Sequence, residues 1–281
     1  MKKFFSAALA CVFFARGVFC SELGERERAL VNQILQAKLE SRMIDGDKEA
    51  LDWLGEKRDE FFASIKGHEF SQEAVLVFEN LFVLEQYHFM WEIDDKSKAA
   101  NDFIQAQVNK LLAWNDSHPT ESRSDWYNAT SYEVINAAMP LFKYSKKISL
   151  GLEEKKVYDA MIKSKCSLGY LYLNAGLWYA FAPAIGGGSD SKAKEYFSTA
   201  VNIGATDYEK FFGLVYLSQS EYDLGDRDSC KKRLDDADKI LPGNVYVPFV
   251  RLVNEAGCTV FEYADDKGKV MSKVKKHKEK N

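Results

Sequence analysis

Three consecutive glycines, Gly186 to Gly188, stand in the stretch GLWYAFAPAIGGGSDSKAKEYFSTA (176–200), with Ser189, Ser191 and Lys192 close behind. Glycines followed by hydroxyls and a lysine are the ingredients of a phosphate cradle, in which backbone amides face the anion at a helix start. That cradle requires a strand, then GxxxxGK[ST], then a helix. Here the glycines follow an aromatic segment with helical patterning, and Lys192 is preceded by Ser191 rather than glycine. The spacing therefore reads as a joint between two helices.

Other reactive patterns are missing from the sequence. It has no GxSxG elbow and no HExxH pair, and His68, His88, His118 and His277 are scattered without ligand spacing. His88, among apolar neighbours, reads as a satisfied interior residue. The acid pairs Asp94–Asp95 and Asp235–Asp236 fall at turns or on polar helix faces, where solvation accounts for them. No catalytic residue, metal ligand or cofactor is expected, and the chain reads as non-enzymatic.

Aromatic side chains are the remaining chemistry, at 14% of the chain. Tyr170, Tyr172, Trp178, Tyr179 and Phe181 share one helical segment, and Phe211, Phe212, Tyr216 and Tyr222 another. Such rings either fill the space between stacked helices or line a groove that holds an apolar ligand or a partner segment. Trp178 and Tyr179 lead the candidates for ligand or partner binding because they precede a loop, with Phe181, Tyr172 and Tyr216 beside them.

The elements that must position these residues are helices. In SQEAVLVFENLFVLEQYHFMW, Val75, Phe78, Leu81, Phe82 and Leu84 or Glu85 recur on one side, after Ser71 as a suitable N-cap. Helices are expected at about 24–42, 47–66, 71–92, 96–114, 125–144, 152–181, 191–202, 207–224, 227–240 and 244–263. Turn and capping residues separate them, as in IDGDKE, LGDRDS and LPGN. The fold class is all-α.

Near the C-terminus the helices repeat. Leu217, Ser218 and Tyr222 precede Gly225 and Asp226 at a turn, and Cys230, Leu234, Ala237 and Pro242 follow. This is the tetratricopeptide pattern, in which small residues let two antiparallel helices approach. Leu168, Gly169, Tyr172 and Gly176, then Ala193, Phe197 and Ala200, repeat it with about twelve extra residues in the turn, a segment that holds the triple glycine. Asp190 or Ser191 caps the next helix. Upstream units are degenerate, as at Ala99, Phe103 and Ala106, so the expectation is stacked antiparallel hairpins with two clear units.

Residues 1–20, MKKFFSAALACVFFARGVFC, carry Lys2 and Lys3 before a largely apolar run from Phe4 to Phe14, which fits a secretory signal and is too short to span a membrane. Cys20 is a candidate for acylation. Losing this leader takes the formal charge from −4 to −7, because it carries Lys2, Lys3 and Arg16 and no acid. A basic segment at 265–281, with seven lysines against three acids, is expected to be a disordered tail, leaving about −11 on the helical domain at 21–264. An acidic body excludes nucleic acid as the main partner. Cys166, Cys230 and Cys258 form no CxxC pair and fit buried helical positions, although one disulfide among them stays open.

A signal segment with a candidate acylated cysteine, an all-helical body, and a late repeat extended by PAIGGGSDSKAKEYFSTAV together resemble the TatT-like family. These are helical periplasmic components associated with TRAP-type solute transporters. The resemblance covers mainly the C-terminal half. It implies a tetratricopeptide-like bundle with a ligand-accessible cavity or pore, an exported location in the periplasm or cell envelope, and a periplasmic solute-binding protein as partner. The ligand would be small, apolar or an organic acid. A general tetratricopeptide scaffold for envelope proteins is the alternative. No site residue carries over from the family.

Overall fold

The computed structural model describes residues 22–279. The leader and Cys20 lie outside the described residues. Among the described residues there are thirteen α-helices and no strand. They are α1 (Glu25–Glu40), α2 (Asp47–Ile65), α3 (Gln72–Ile93), α4 (Lys98–Ser117), α5 (Asp125–Ala137), α6 (Tyr144–Lys163) and α7 (Gly169–Phe181). The chain continues through α8 (Asp190–Ile203), α9 (Asp207–Asp223), α10 (Arg227–Ile240), α11 (Tyr246–Glu255), α12 (Val260–Asp265) and α13 (Lys267–Lys278). The all-α fold holds.

Local chemistry sets most of the starts. Ser71, Ser97, Ser124, Thr206, Asp226 and Thr259 each accept a hydrogen bond from the amide three residues on, satisfying a donor that the first turn leaves without a partner. The cap of α8 is Ser189, just ahead of the expected Asp190 or Ser191.

Three expected helices are broken, the first of them 125–144, which stops at Ala137 before a 3₁₀ turn at Met139–Leu141 and gives way to α6 from Tyr144. The segment 152–181 divides into α6 and α7 because Lys165 takes a left-handed conformation, φ 61°, which ends helices. The segment 244–263 divides at Gly257, φ 76°, into α11 and α12. The basic tail also differs from expectation. Residues 267–278 form α13, whose Val270 and Val274 are buried with Val253, Cys258 and Tyr263 in a small apolar cluster of their own. Two valines four residues apart make one apolar stripe; Lys269, Lys275, Lys276 and Lys278 face water, whereas Lys267 donates to the Trp91 and Glu92 carbonyls and Lys273 to Cys258 Sγ. The three described cysteines are buried, and none of them forms a disulfide.

The pairs α7–α8 and α9–α10 pack closely, and α8 joins them by packing on α9. Small residues permit this approach. A Cβ at Gly176 would lie 2.4 Å from the Phe197 ring, and one at Gly213 would lie 2.8 Å from Val201. Upstream, α3 packs on α2, α4 and α5. Helix α1 crosses the assembly, packing on both α3 and α9 and burying Val31, Ile34, Leu35, Lys38 and Leu39.

The triple glycine closes on itself. The amides of Gly186 and Gly188 donate to the Pro183 carbonyl, that of Gly187 to Ala184, and that of Ser189 to Tyr179. Gly187 sits at φ 101°, and a Cβ on Gly188 would meet the Ala182 carbonyl oxygen at 1.8 Å. Glycine is thus required by a tight backbone reversal, and the amides that would cradle a phosphate are engaged within the loop.

Gly176→Ala tests the close approach. Alanine is the better helix former, yet its methyl overlaps a buried ring, so a net loss of roughly 1–3 kcal/mol is expected, seen as a Tm several degrees lower. A Tm that stays level or rises in thermal denaturation would show that Phe197 yields without cost.

Candidate functional site

Where α1 crosses α3, three charges meet. Lys38 and Glu85 are fully buried, with Lys38 Nζ 3.6 Å from Glu85 Oε2. Arg42, in the 3₁₀ turn after α1, donates through Nη2 to Glu85 Oε1. Burial alone would raise the Glu85 pKa, but the charges of Arg42 and Lys38 outweigh it and hold the carboxyl below the ordinary value. Glu85 in turn keeps Arg42 firmly protonated against its own burial.

Aromatic rings surround the two cations. The Arg42 guanidinium lies 4.8 Å from the ring centre of Phe89, 5.3 Å from Tyr246 and 5.6 Å from Phe212. Lys38 Nζ lies 4.9 Å from the ring of Tyr208, and 3.4 Å from the hydroxyl of Tyr170. That hydroxyl donates to Glu133 Oε2, and Asn174 Nδ2 donates to the same oxygen at 3.5 Å. Burial raises the Glu133 pKa, which shifts it toward the neutral acid.

Several of these groups meet water despite their crowded surroundings. Glu133, Tyr216 and Tyr246 are half-buried and His88 is exposed. Yet burial is the largest influence on His88, pulling its pKa from 6.5 down to about 4. Burial likewise pushes Tyr246 up to about 12 and Tyr208 and Tyr216 well above their ordinary value. Side chains that are walled by protein and still reached by water line a recess. The hydroxyls of Tyr208, Tyr216 and Tyr246 and the ring nitrogens of His88 hydrogen-bond to no described residue, and the tyrosines remain protonated donors at neutral pH.

Glu209 holds two walls of this recess together. Its carboxylate accepts from the amides of Tyr170 (2.8 Å), Ala205 (2.8 Å) and Thr206 (2.9 Å), so the starts of α7 and α9 are tied by one buried side chain. Gly169 and Gly204 allow the approach, since a Cβ on Gly169 would lie 2.9 Å from Gly204 Cα. Tyr170 and Tyr208 are thereby brought side by side, ring centres 6.0 Å apart.

Of the five aromatics expected to bind, only Tyr216 belongs to the recess. Trp178 and Tyr179 are buried and join α7 to α6: the indole N–H donates to the Gly151 carbonyl (3.0 Å) and the Tyr179 hydroxyl to Asp159 Oδ1 (3.0 Å). Tyr172 packs edge-on against Tyr196, and Phe181, 49% exposed, against Phe261. His88 is also not the satisfied interior residue expected of it. Sequence reasoning missed Lys38, Arg42, Glu85 and Glu133, although a carboxylate on the apolar row of α3 was the available sign.

No protein-family model matches the chain, and no curated protein matches it. What the recess offers chemically comes from its own residues. Two fixed cations face one ionised carboxylate and a second drawn toward neutrality, so the balance favours an anion, and tyrosine hydroxyls supply oriented donors.

Two stability tests follow. Glu85→Gln leaves Lys38 buried without its counter-charge, for which a loss of about 3–5 kcal/mol is expected in urea denaturation. A loss below about 1 kcal/mol would mean that water already reaches Lys38. His88 has a folded pKa below its unfolded one, so the unfolded chain binds the proton more readily. Stability is then lost as pH falls from 6.5 toward 4, and His88→Gln is expected to flatten the decline in that window. An unaltered slope would place the ring in open water.

Proposed function

We propose that this chain is a non-enzymatic, exported accessory component of a TRAP-type solute-uptake system, which holds a small organic acid in the recess and contacts a periplasmic solute-binding protein. The observation that carries the ligand half of this reading is the set of free hydroxyls on Tyr208, Tyr216 and Tyr246 beside the buried Lys38 and the half-buried Arg42. An arginine and fixed O–H donors around a partly wet recess fit a carboxylate better than a neutral apolar molecule. The transport half rests on the resemblance to the TatT-like family. The course of α1 weighs against the alternative, a general scaffold for peptides, because α1 already lies across α3 and α9, burying Val31, Ile34 and Leu35 there.

Calorimetric titration of the soluble protein with a panel of small mono- and dicarboxylates tests the ligand. Binding is expected for at least one, weakened roughly 3- to 10-fold by Tyr216→Phe or Tyr246→Phe, the effect of one hydrogen bond. Binding that ignores both variants would move the ligand elsewhere. Pull-down from the protein's own envelope tests the partner: recovery of a solute-binding protein is expected, whereas recovery of unrelated envelope proteins alone would favour the general scaffold.

A further inference from the structure

The loop carrying the triple glycine ends up beside the outer face of α6. A Cβ on Gly187 would lie 3.3 Å from Lys155 Cε, and Trp178, just before the loop, donates to Gly151. At the loop's 3₁₀ turn Ile185 is 100% exposed. On α6, Tyr144, Ile148 and Leu152 recur every fourth residue and so form one row. They are 79%, 47% and 53% exposed. Leu141, just before α6, is exposed as well. Few large apolar side chains of the described residues are exposed, and five of them gather here.

This row is not the side by which α6 packs. Leu150, Glu154, Val157, Tyr158 and Met161 are the buried residues of the helix, and they occupy its other side. Cations flank its ends: Lys143 and Lys147 beside Tyr144, and Lys156 one turn beyond Leu152, while Lys146 stands about 160° around the helix from Ile148. The exposed acid on this stretch, Glu153, accepts a hydrogen bond from Tyr132 at 2.9 Å. A cluster of lysines around an apolar ridge stands out on a chain whose formal charge is −4.

We propose that the α6 row and Ile185 form a docking surface for an anionic lipid bilayer, distinct from the recess and independent of what the recess binds. A row of single exposed apolar side chains inserts at the headgroup level, and long lysines reach the lipid phosphates while their stems cover apolar surface. The insertion in the repeat then has a use: it adds one fully exposed isoleucine to the ridge.

Vesicle co-sedimentation tests this. The probe protein is the full chain carrying Cys20→Ser, which removes any acyl chain, expressed with its leader and recovered as the soluble product. Vesicles are phosphatidylcholine alone or with about a third phosphatidylglycerol. Expected is a bound fraction at least about fivefold higher on the anionic vesicles, abolished by high salt. The pairs Ile148→Asp with Ile185→Asp, and Lys147→Glu with Lys156→Glu, are each expected to remove most of it, while Leu224→Asp, at α9's exposed end, leaves it intact. All these side chains are exposed or half-buried, so folding is checked by an unchanged circular dichroism melt. Equal binding to both vesicles, no binding, or retention by the Ile148→Asp/Ile185→Asp pair would overturn the proposal, and in the last two cases a protein partner would be the better occupant of the ridge.

Discussion

The interior of this protein depends on a carboxylate held between two cations. Glu85 on α3, Lys38 on α1 and Arg42 just beyond it are removed from bulk water, and each is tolerable there only because the others are present. The pairing fixes how far α1 can slide along α3. Through Tyr170 and Tyr208, which receive Lys38, it also fixes α1 against α7 and α9. Apolar packing alone would bury α1, but it would not select one register so sharply. An uncompensated charge in any other register would be costly.

The same constraint keeps the neighbourhood from closing completely. Buried charges need polar company, and the tyrosines, Asn174 and Glu133 that supply it cannot pack as tightly as leucines would. Some of their hydroxyls find partners, as Tyr170 does on Glu133. Others do not, and water reaches them. The recess is thus a consequence of ionic packing at the crossing of α1, with the cap-like carboxylate of Glu209 holding α7 and α9 as its rigid walls.

Much of the fold was legible because it is written in local chemistry. Serine, threonine and aspartate caps mark helix starts, and Leu217, Ser218, Cys230, Leu234 and Ala237 are buried on two helices that the periodicity predicts. What escaped depends on distant chain. Lys165 offers no glycine or proline to announce its left-handed turn. Val270 and Val274 become core only because α11 and α12 stand ready to cover them. The site was harder still. Trp178 and Tyr179 were binding candidates by their position before a loop, yet the loop folds back and α6 supplies partners for both. Lys38 and Glu85 are 47 residues apart in sequence, and nothing local to either states that they meet.

The central claim is that ionic packing of α1 leaves a recess that holds a small anion. A crystal structure of the protein purified gently from its own envelope tests it most directly. The account predicts density for a carboxylate-bearing molecule within hydrogen-bond reach of Tyr216, Tyr246 or Arg42, with Lys38 and Glu85 still paired. A recess collapsed onto its own side chains, with the three tyrosine hydroxyls bonded to protein, would contradict it.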